Sequence, residues 1–273
     1  MNHYIDKPVF ILPSVSDRIE HLNRMIYSIR QSPYKDWAIA VYYQDNLNNA
    51  HLVEKRLLDH FIVVPERIGV GKARLNLLME IPRYRYYGHI DDDMYLLPQT
   101  NYLPMLDFLD ANPHVAHVMS KWARYEKAIP KLVMGMTHAF YKQILMYTGG
   151  GQWYRDDVSE LYRKPYNIGK KDDETIWTLI AYLAGYENYV YAGSVALHKT
   201  LQKGGNRSHQ QTQPNSEYVG FPGFIEYQFC RDGSWAIPMD KDVKPNARRI
   251  HKEQRANKFG TPKLILPELK WHA

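Results

Sequence analysis

Residues 86–93 read YYGHIDDD, so an apolar stretch runs directly into the carboxylates of Asp91, Asp92 and Asp93. Carboxylates packed together are unfavourable unless something positive lies among them. In open α/β sheets, ligands collect at the carboxyl ends of the strands. Hard oxygen donors select Mg²⁺ or Mn²⁺, which usually complete their coordination with phosphate oxygens. The segment therefore predicts a strand that ends at a site for a divalent cation and a phosphorylated ligand.

Working outward, the first half of the chain repeats a strand followed by a helix. Apolar runs predict strands at 9–15, 37–43, 61–64 and 86–90. After the first strand, Asp17 and Glu20 have the spacing of a capping box and begin a helix. The strand starts lie about 25 residues apart, the length of a βα unit, which favours a parallel sheet.

The second half continues with less regular spacing. We expect a helix from Pro98 to about Asp110 and another from about Asp173 to Ala184. Further strands are predicted at 115–119, 132–136 and 189–197, and long loops at 149–171 and 202–213. The predicted fold class is α/β, with a mixed, mainly parallel sheet, helices on both faces and a basic C-terminal extension.

Composition narrows the class of protein. The chain has 273 residues, and its single cysteine, Cys230, excludes an internal disulfide framework. No apolar run reaches the roughly 18–20 residues of a membrane span, and the first residues do not resemble a signal peptide. We therefore expect a cytoplasmic protein. Residues 241–273 hold nine basic and three acidic residues, which equals the whole net charge of +6. Such a tail favours a polyanionic partner, although a solvated helix face has the same pattern.

Three other segments carry candidate functional groups. His198 follows the last predicted strand, and imidazole is a good Mn²⁺ ligand. Asp172, Asp173 and Glu174 open the second long helix, where acidic residues either cap the helix or act as a general base. Lys72 and Arg74 follow two glycines at a helix start and could contact a diphosphate, although neither the Walker nor the Rossmann glycine pattern is present.

Together these segments resemble the GT-A class of nucleotide-sugar glycosyltransferases. The matching features, which cover roughly residues 8–200, are residues 13–18 after the first strand, Gln44-Asp45 after the second, Gly69 to Asn76, the DxD-type triplet 91–93, the acidic motif 172–174 and His198. The chain departs from the usual pattern in having only Gln44-Asp45 after the second strand and Asp-Asp-Glu in the later motif.

The resemblance implies a domain division and a set of roles. Residues 1–200 would form the catalytic domain, with a nucleotide-sugar half at about 1–98 and an acceptor half at about 99–200, and residues 201–273 a lid loop and basic extension. Mn²⁺ or Mg²⁺ would be held by Asp91, Asp93 and His198. The nucleotide sugar, a UDP-sugar, would contact Ser14, Arg18, Asp45, Lys72, Arg74, Asp91 and Asp92. Among Asp172, Asp173 and Glu174, position favours Asp173 as the base for an inverting displacement, while a retaining reaction stays open.

The sequence leaves two alternatives for the acceptor, and each would involve a polyanionic partner. Arg248, Arg249, Lys252, Arg255 and Lys258 suggest phosphate contacts, as in phage enzymes that glycosylate hydroxymethylated pyrimidines in DNA. The same residues could instead hold a transferase for bacterial surface glycans on an anionic membrane. A nucleotidyltransferase, which would release pyrophosphate, is a further alternative, but its glycine-rich loop is missing after the first strand.

Overall fold

A computed structural model of the chain describes residues 4–123, 128–143, 151–163, 177–178, 181–182 and 184–198, together with the backbone of four short strands further on. Among these residues, the strands of the central sheet are β1 (Ile5–Val15), β2 (Ala38–Gln44), β3 (His60–Val64), β4 (Tyr84–His89), β5 (Met94–Tyr95), β6 (Val115–Ala123), β7 (Ala139–Gln143), β8 (Gln152–Arg155) and β9 (Glu187–His198). The later strands are β10 (Ser216–Val219), β11 (Tyr227–Cys230) and β12 (Trp235–Ala236), and β13 (Leu264–Ile265), which also joins the central sheet.

The sheet consists of two parallel parts joined by one antiparallel strand. Strands β3, β2, β1 and β4 lie side by side and run parallel. Strand β8 then pairs antiparallel with both β4 and β6, and β6 runs parallel to β9. Strand β7 pairs antiparallel with β9, and β13 pairs with β7 at that edge. Strands β10 to β12 form a separate antiparallel sheet.

The helices connect these strands and cover the sheet. They are α1 (Ile19–Arg30), α2 (Val70–Glu80), α3 (Leu103–Ala111), α4 (Ile129–Met134) and α5 (Asp156–Tyr162), and residues 177–178 and 181–182 are helical as well. None of the helices within the described part of the chain is long and apolar enough to cross a membrane.

Alternate residues of β1 enter different cores, as the pleat of a strand requires. Val9 and Ile11 pack in a cluster with residues of α2 and α5, whereas Phe10 and Leu12 pack in a cluster with residues of α1 and α3. The sheet therefore has helices on both faces, as predicted from the sequence. Because β1 is buried on both sides, it reads as a continuous apolar run.

Strands β4 and β8 meet unusually closely. Gly88 is paired with Trp153 in the register of the two strands. A Cβ at Gly88 would overlap the six-membered ring of Trp153, which is fully buried. A residue without a side chain is therefore required at this position for the indole to lie so close to the backbone.

Four local predictions differ from the structure. Residues 132–136, predicted as a strand, belong mainly to helix α4, where Pro130 occupies the first turn, the position that proline's fixed φ favours. The loop predicted at 149–171 contains β8 and α5. Helix α3 begins at Leu103 rather than Pro98, and Pro104 lies in its first turn. Helix α1 begins at Ile19 after a 3-10 turn, without a side-chain cap.

Candidate metal centre

The acidic triplet and His198 come together through strand pairing. Strand β4 ends at His89, so Asp91, Asp92 and Asp93 follow at its carboxyl end. The short strand β5 then pairs antiparallel with the end of β9, which sets Met94 opposite His198. Two segments separated by more than a hundred residues of sequence are thereby brought to the same edge of the sheet.

Three side chains form a compact cluster. Nε2 of His198 lies 3.2 Å from Oδ2 of Asp91 and 3.3 Å from Oδ1 of Asp93. One ligand atom from each of these residues lies within 4.8 Å of the other two. Oδ1 of Asp93 is buried and accepts no hydrogen bond of good geometry, so apart from the imidazole it is open to a cation. Two carboxylates and one imidazole suit Mn²⁺ or Mg²⁺, so the donor set fits the predicted metal.

Two arginines and a serine contact the same carboxylates. Nη2 of Arg74 donates to Oδ1 of Asp91 at 2.7 Å. Nη2 of Arg18 lies 3.0 Å from Oδ1 of Asp92 and 2.5 Å from Oδ2 of Asp93. The hydroxyl of Ser14 donates to Oδ2 of Asp92 at 2.6 Å. The triplet is therefore held by residues from β1, from the turn after it, and from α2.

The charges of the cluster shift its pKa values in different directions. Burial raises the pKa of Asp91, but the hydrogen bond to His198 and the charge of Arg74 outweigh burial, and the pKa is held well below its usual range. Burial raises the pKa of Asp92, with only partial opposition from Arg18. Burial lowers the pKa of His198, but the hydrogen bond and charge of Asp91 outweigh it and raise that pKa.

A second polar cluster lies beyond the end of β2. Asp45, whose backbone φ is 79°, accepts from the backbone N–H of Ser16 at 3.2 Å and from Nε of Arg67 at 2.7 Å. Gln44 is buried, and its Oε1 accepts from the backbone N–H groups of Ile68 and Gly69. Sequence analysis missed Arg67. Its position three residues after β3 could have marked it as a candidate, because ligands collect at the carboxyl ends of parallel strands.

The remaining candidate residues are not brought together by the described part of the structure. Lys72 is exposed in the first turn of α2, whereas Arg74 in the same helix is buried. The acidic motif of Asp172, Asp173 and Glu174 lies outside the described residues, as do the five basic residues of the tail, Arg248, Arg249, Lys252, Arg255 and Lys258. Their roles stay predictions.

Comparison with solved structures identifies the fold. S. aureus TarS (residues 1–349, in complex with UDP-GlcNAc) aligns with a TM-score of 0.58 at 14% identity, over 77% of this chain and 62% of that chain. GalNAc-T7 with UDP, GalNAc and Mn²⁺ aligns with a TM-score of 0.58 at 13% identity, over 73% of this chain and 44% of that chain. The predicted GT-A fold is thus confirmed, and the chain spans less than two thirds of either structure. No protein-family profile and no curated protein match it.

Proposed function

We propose that this protein is a metal-dependent glycosyltransferase that moves a sugar from a UDP-sugar to an acceptor hydroxyl. The observation that carries the proposal is the convergence of Asp91, Asp93 and His198 at one edge of the sheet. The fold shared with TarS and GalNAc-T7, whose structures contain UDP-GlcNAc and UDP with Mn²⁺, supports a nucleotide sugar as the donor.

The donor side of the reaction is assigned to the carboxyl ends of β1, β2 and β4. Asp91, Asp93 and His198 would hold Mn²⁺ or Mg²⁺, which when bound supplies positive charge against the charge developing on the leaving UDP. We assign the nucleoside pocket to Ser14, Arg18 and Asp45, and contacts with the diphosphate to Lys72 and Arg74. Asp91 and Asp92 complete the proposed nucleotide-sugar site. The contacts between Asp45 and Arg67 support a rigid wall on the nucleoside side.

The acceptor side is assigned to the acidic motif that is predicted to open the second long helix. We propose Asp173 as the base that takes the proton of the acceptor hydroxyl, with Asp172 and Glu174 as its acidic neighbours. A base on the face opposite the leaving group gives direct displacement with inversion at the anomeric carbon, and the product anomer distinguishes this from retention.

The test is a screen of UDP-sugars with Mn²⁺, Mg²⁺ or excess chelator, in which UDP and pyrophosphate are both measured. We expect UDP release that requires the metal, and we expect Asp93→Ala to reduce it at least about a hundredfold because a ligand carboxylate is lost.

The control is Asp36→Ala, which removes an exposed carboxylate in the turn before β2. This variant should keep full activity. Turnover that persists in excess chelator, or in Asp93→Ala, would contradict the proposed metal centre. Release of pyrophosphate instead of UDP would assign the protein to the nucleotidyltransferases.

We propose an anionic acceptor, with hydroxymethylated pyrimidine in DNA as the first candidate and a surface glycan as the alternative. The support is the block of positive charge at 241–273, which suits phosphate groups. A gel shift with duplex DNA, compared with co-sedimentation on anionic vesicles, separates the two settings. Binding to vesicles and not to duplex DNA would favour the glycan acceptor and a peripheral membrane location over the cytoplasm proper.

A further inference from the structure

The two ligand carboxylates of the candidate metal centre share one arrangement. Asp91 directs Oδ1 to Arg74 and Oδ2 to His198. Asp93 directs Oδ2 to Arg18 and Oδ1 to His198. Each carboxylate thus gives one oxygen to an arginine and keeps the other on the side of the imidazole.

Both arginines lie against these carboxylates, Arg74 in the interior and Arg18 partly buried. Arg74 is only 1% exposed, and the side chain of Arg18 is 21% exposed while it pairs with Asp92 as well as Asp93. Two guanidinium charges against three carboxylates leave at most one net negative charge. Because buried like charges repel strongly, this compensation allows the three carboxylates to lie together in a protein without a bound metal.

We propose that Arg18 and Arg74 are the resident cations of the metal centre, which neutralise its carboxylates and thereby weaken its affinity for a free divalent ion. Each arginine takes the oxygen that faces away from His198, so a cation can reach the facing oxygens without displacing either guanidinium group. Toward the metal, both arginines act through the aspartates, and in this role they are positioning residues. The inference rests on the metal site of the proposed function, but its test does not require sugar transfer.

The test measures Mn²⁺ affinity and thermal stability of the full chain. In Arg18→Gln, we expect a lower Tm without metal, and an affinity for Mn²⁺ about tenfold higher, since a nearby positive charge has been removed. The affinity is measured by electron paramagnetic resonance, in which the signal of free Mn²⁺ decreases as the ion binds. Mn²⁺ should also raise the Tm of this variant by more than it raises the Tm of the wild type.

Two further variants separate charge from shape. Arg18→Lys keeps the positive charge and should keep an affinity close to that of the wild type. Arg24→Gln removes a positive charge from the same helix region at a side chain that is 52% exposed, and should change neither quantity.

A compensating double variant covers the case in which Arg18→Gln does not fold. Arg18→Gln with Asp92→Asn removes one charge of each sign, so it should fold and bind Mn²⁺ about as tightly as the wild type. Weaker Mn²⁺ binding in a folded Arg18→Gln protein would overturn the inference, because the arginine would then orient Asp93 rather than offset its charge. Unchanged affinity and Tm would overturn it equally. A wild type that binds no Mn²⁺ would instead contradict the metal centre itself.

Discussion

Two histidines lie buried at the centre of the sheet, one on β4 and one on β6. Nε2 of His89 is 2.8 Å from the hydroxyl of Tyr154. Nδ1 of His117 is 2.7 Å from Nε2 of Gln152, and its other ring nitrogen contacts the hydroxyl of Tyr162. Burial lowers the pKa of both, to about 3 for His117. Both imidazoles are therefore neutral in the folded protein at any pH near neutrality.

This burial makes the stability depend on pH. The unfolded chain binds a proton at position 117 below its ordinary pKa of about 6.5, whereas the folded protein does not until about pH 3. The contribution to stability is complete above pH 6.5 and falls by about 1.4 kcal/mol for each pH unit below it. Urea unfolding at pH values between 5 and 7.5 should show this dependence of the unfolding free energy on pH. His117→Gln should lower its slope by up to about 1.4 kcal/mol per pH unit, the contribution of one proton.

The exposed His51, changed to Gln, controls for the substitution itself. An equal slope in the wild type and His117→Gln would contradict the prediction.

At the residue scale, the sequence predicts that the acidic triplet and His198 come together, but not which side chains form hydrogen bonds or ion pairs with each carboxylate. The convergence of the triplet with His198 follows from strand ends at a common edge. The role of Arg18 in a nucleoside pocket stays a prediction, and the structure adds contacts of its guanidinium group with Asp92 and Asp93. The sequence could not indicate this, because the direction in which an arginine leaves a turn depends on the charges that folding brings beside it.

At the scale of elements, the close approach of β4 and β8 gives a stability prediction. Gly88→Ala should lower the free energy of unfolding by about 1–3 kcal/mol, because the added methyl group forces Trp153 out of its place. Denaturant unfolding measures the change.

Gly135→Ala is the matched control, since its added methyl group would meet its nearest neighbour, the carbonyl oxygen of Lys131, at an ordinary 3.5 Å. A cost for Gly88→Ala no larger than that for Gly135→Ala would show that the indole can move without penalty.

The elements missed by the sequence analysis share a physical cause. Strand β8 has only four residues, and its buried Trp153 and Tyr154 follow a run of three glycines, so neither length nor periodicity marks it. Its place depends on the close contact of Trp153 with the backbone at Gly88, which exists only in the folded sheet. Helix α4 is misread because Leu132 to Met134 form a short apolar run, for which helix and strand cannot be told apart by periodicity.

At the scale of the whole molecule, the uneven charge gives a prediction for polyanion binding. Changing Arg248, Arg249, Lys252, Arg255 and Lys258 to Gln should weaken binding to duplex DNA. It should also reduce the slope of log affinity against log salt by up to about 4.5, at roughly 0.9 per phosphate contact. Gel shifts at several salt concentrations measure the slope.

The control changes five exposed basic residues elsewhere, Arg24, Lys35, Lys55, Arg56 and Lys131, to Gln. Equal slopes for the two variants would mean that the tail has no special part in binding.

The overall architecture could be predicted because parallel strands that are buried on both faces are recognisable in the sequence as apolar runs separated by helices. The division into a nucleotide-sugar half and an acceptor half stays a prediction. In the structure, β8 joins strands from both proposed halves into one sheet.

The late position of β8 in the sequence also affects how the chain is made. Until residues 152–155 have emerged from the ribosome, β1 to β4 can pair, but β4 remains an open edge. An unpaired strand edge exposes backbone N–H and C=O groups that can pair with other nascent chains. Fragments that stop short of Arg155 should therefore aggregate, and refolding of the whole chain should be slow because the sheet is completed by distant partners.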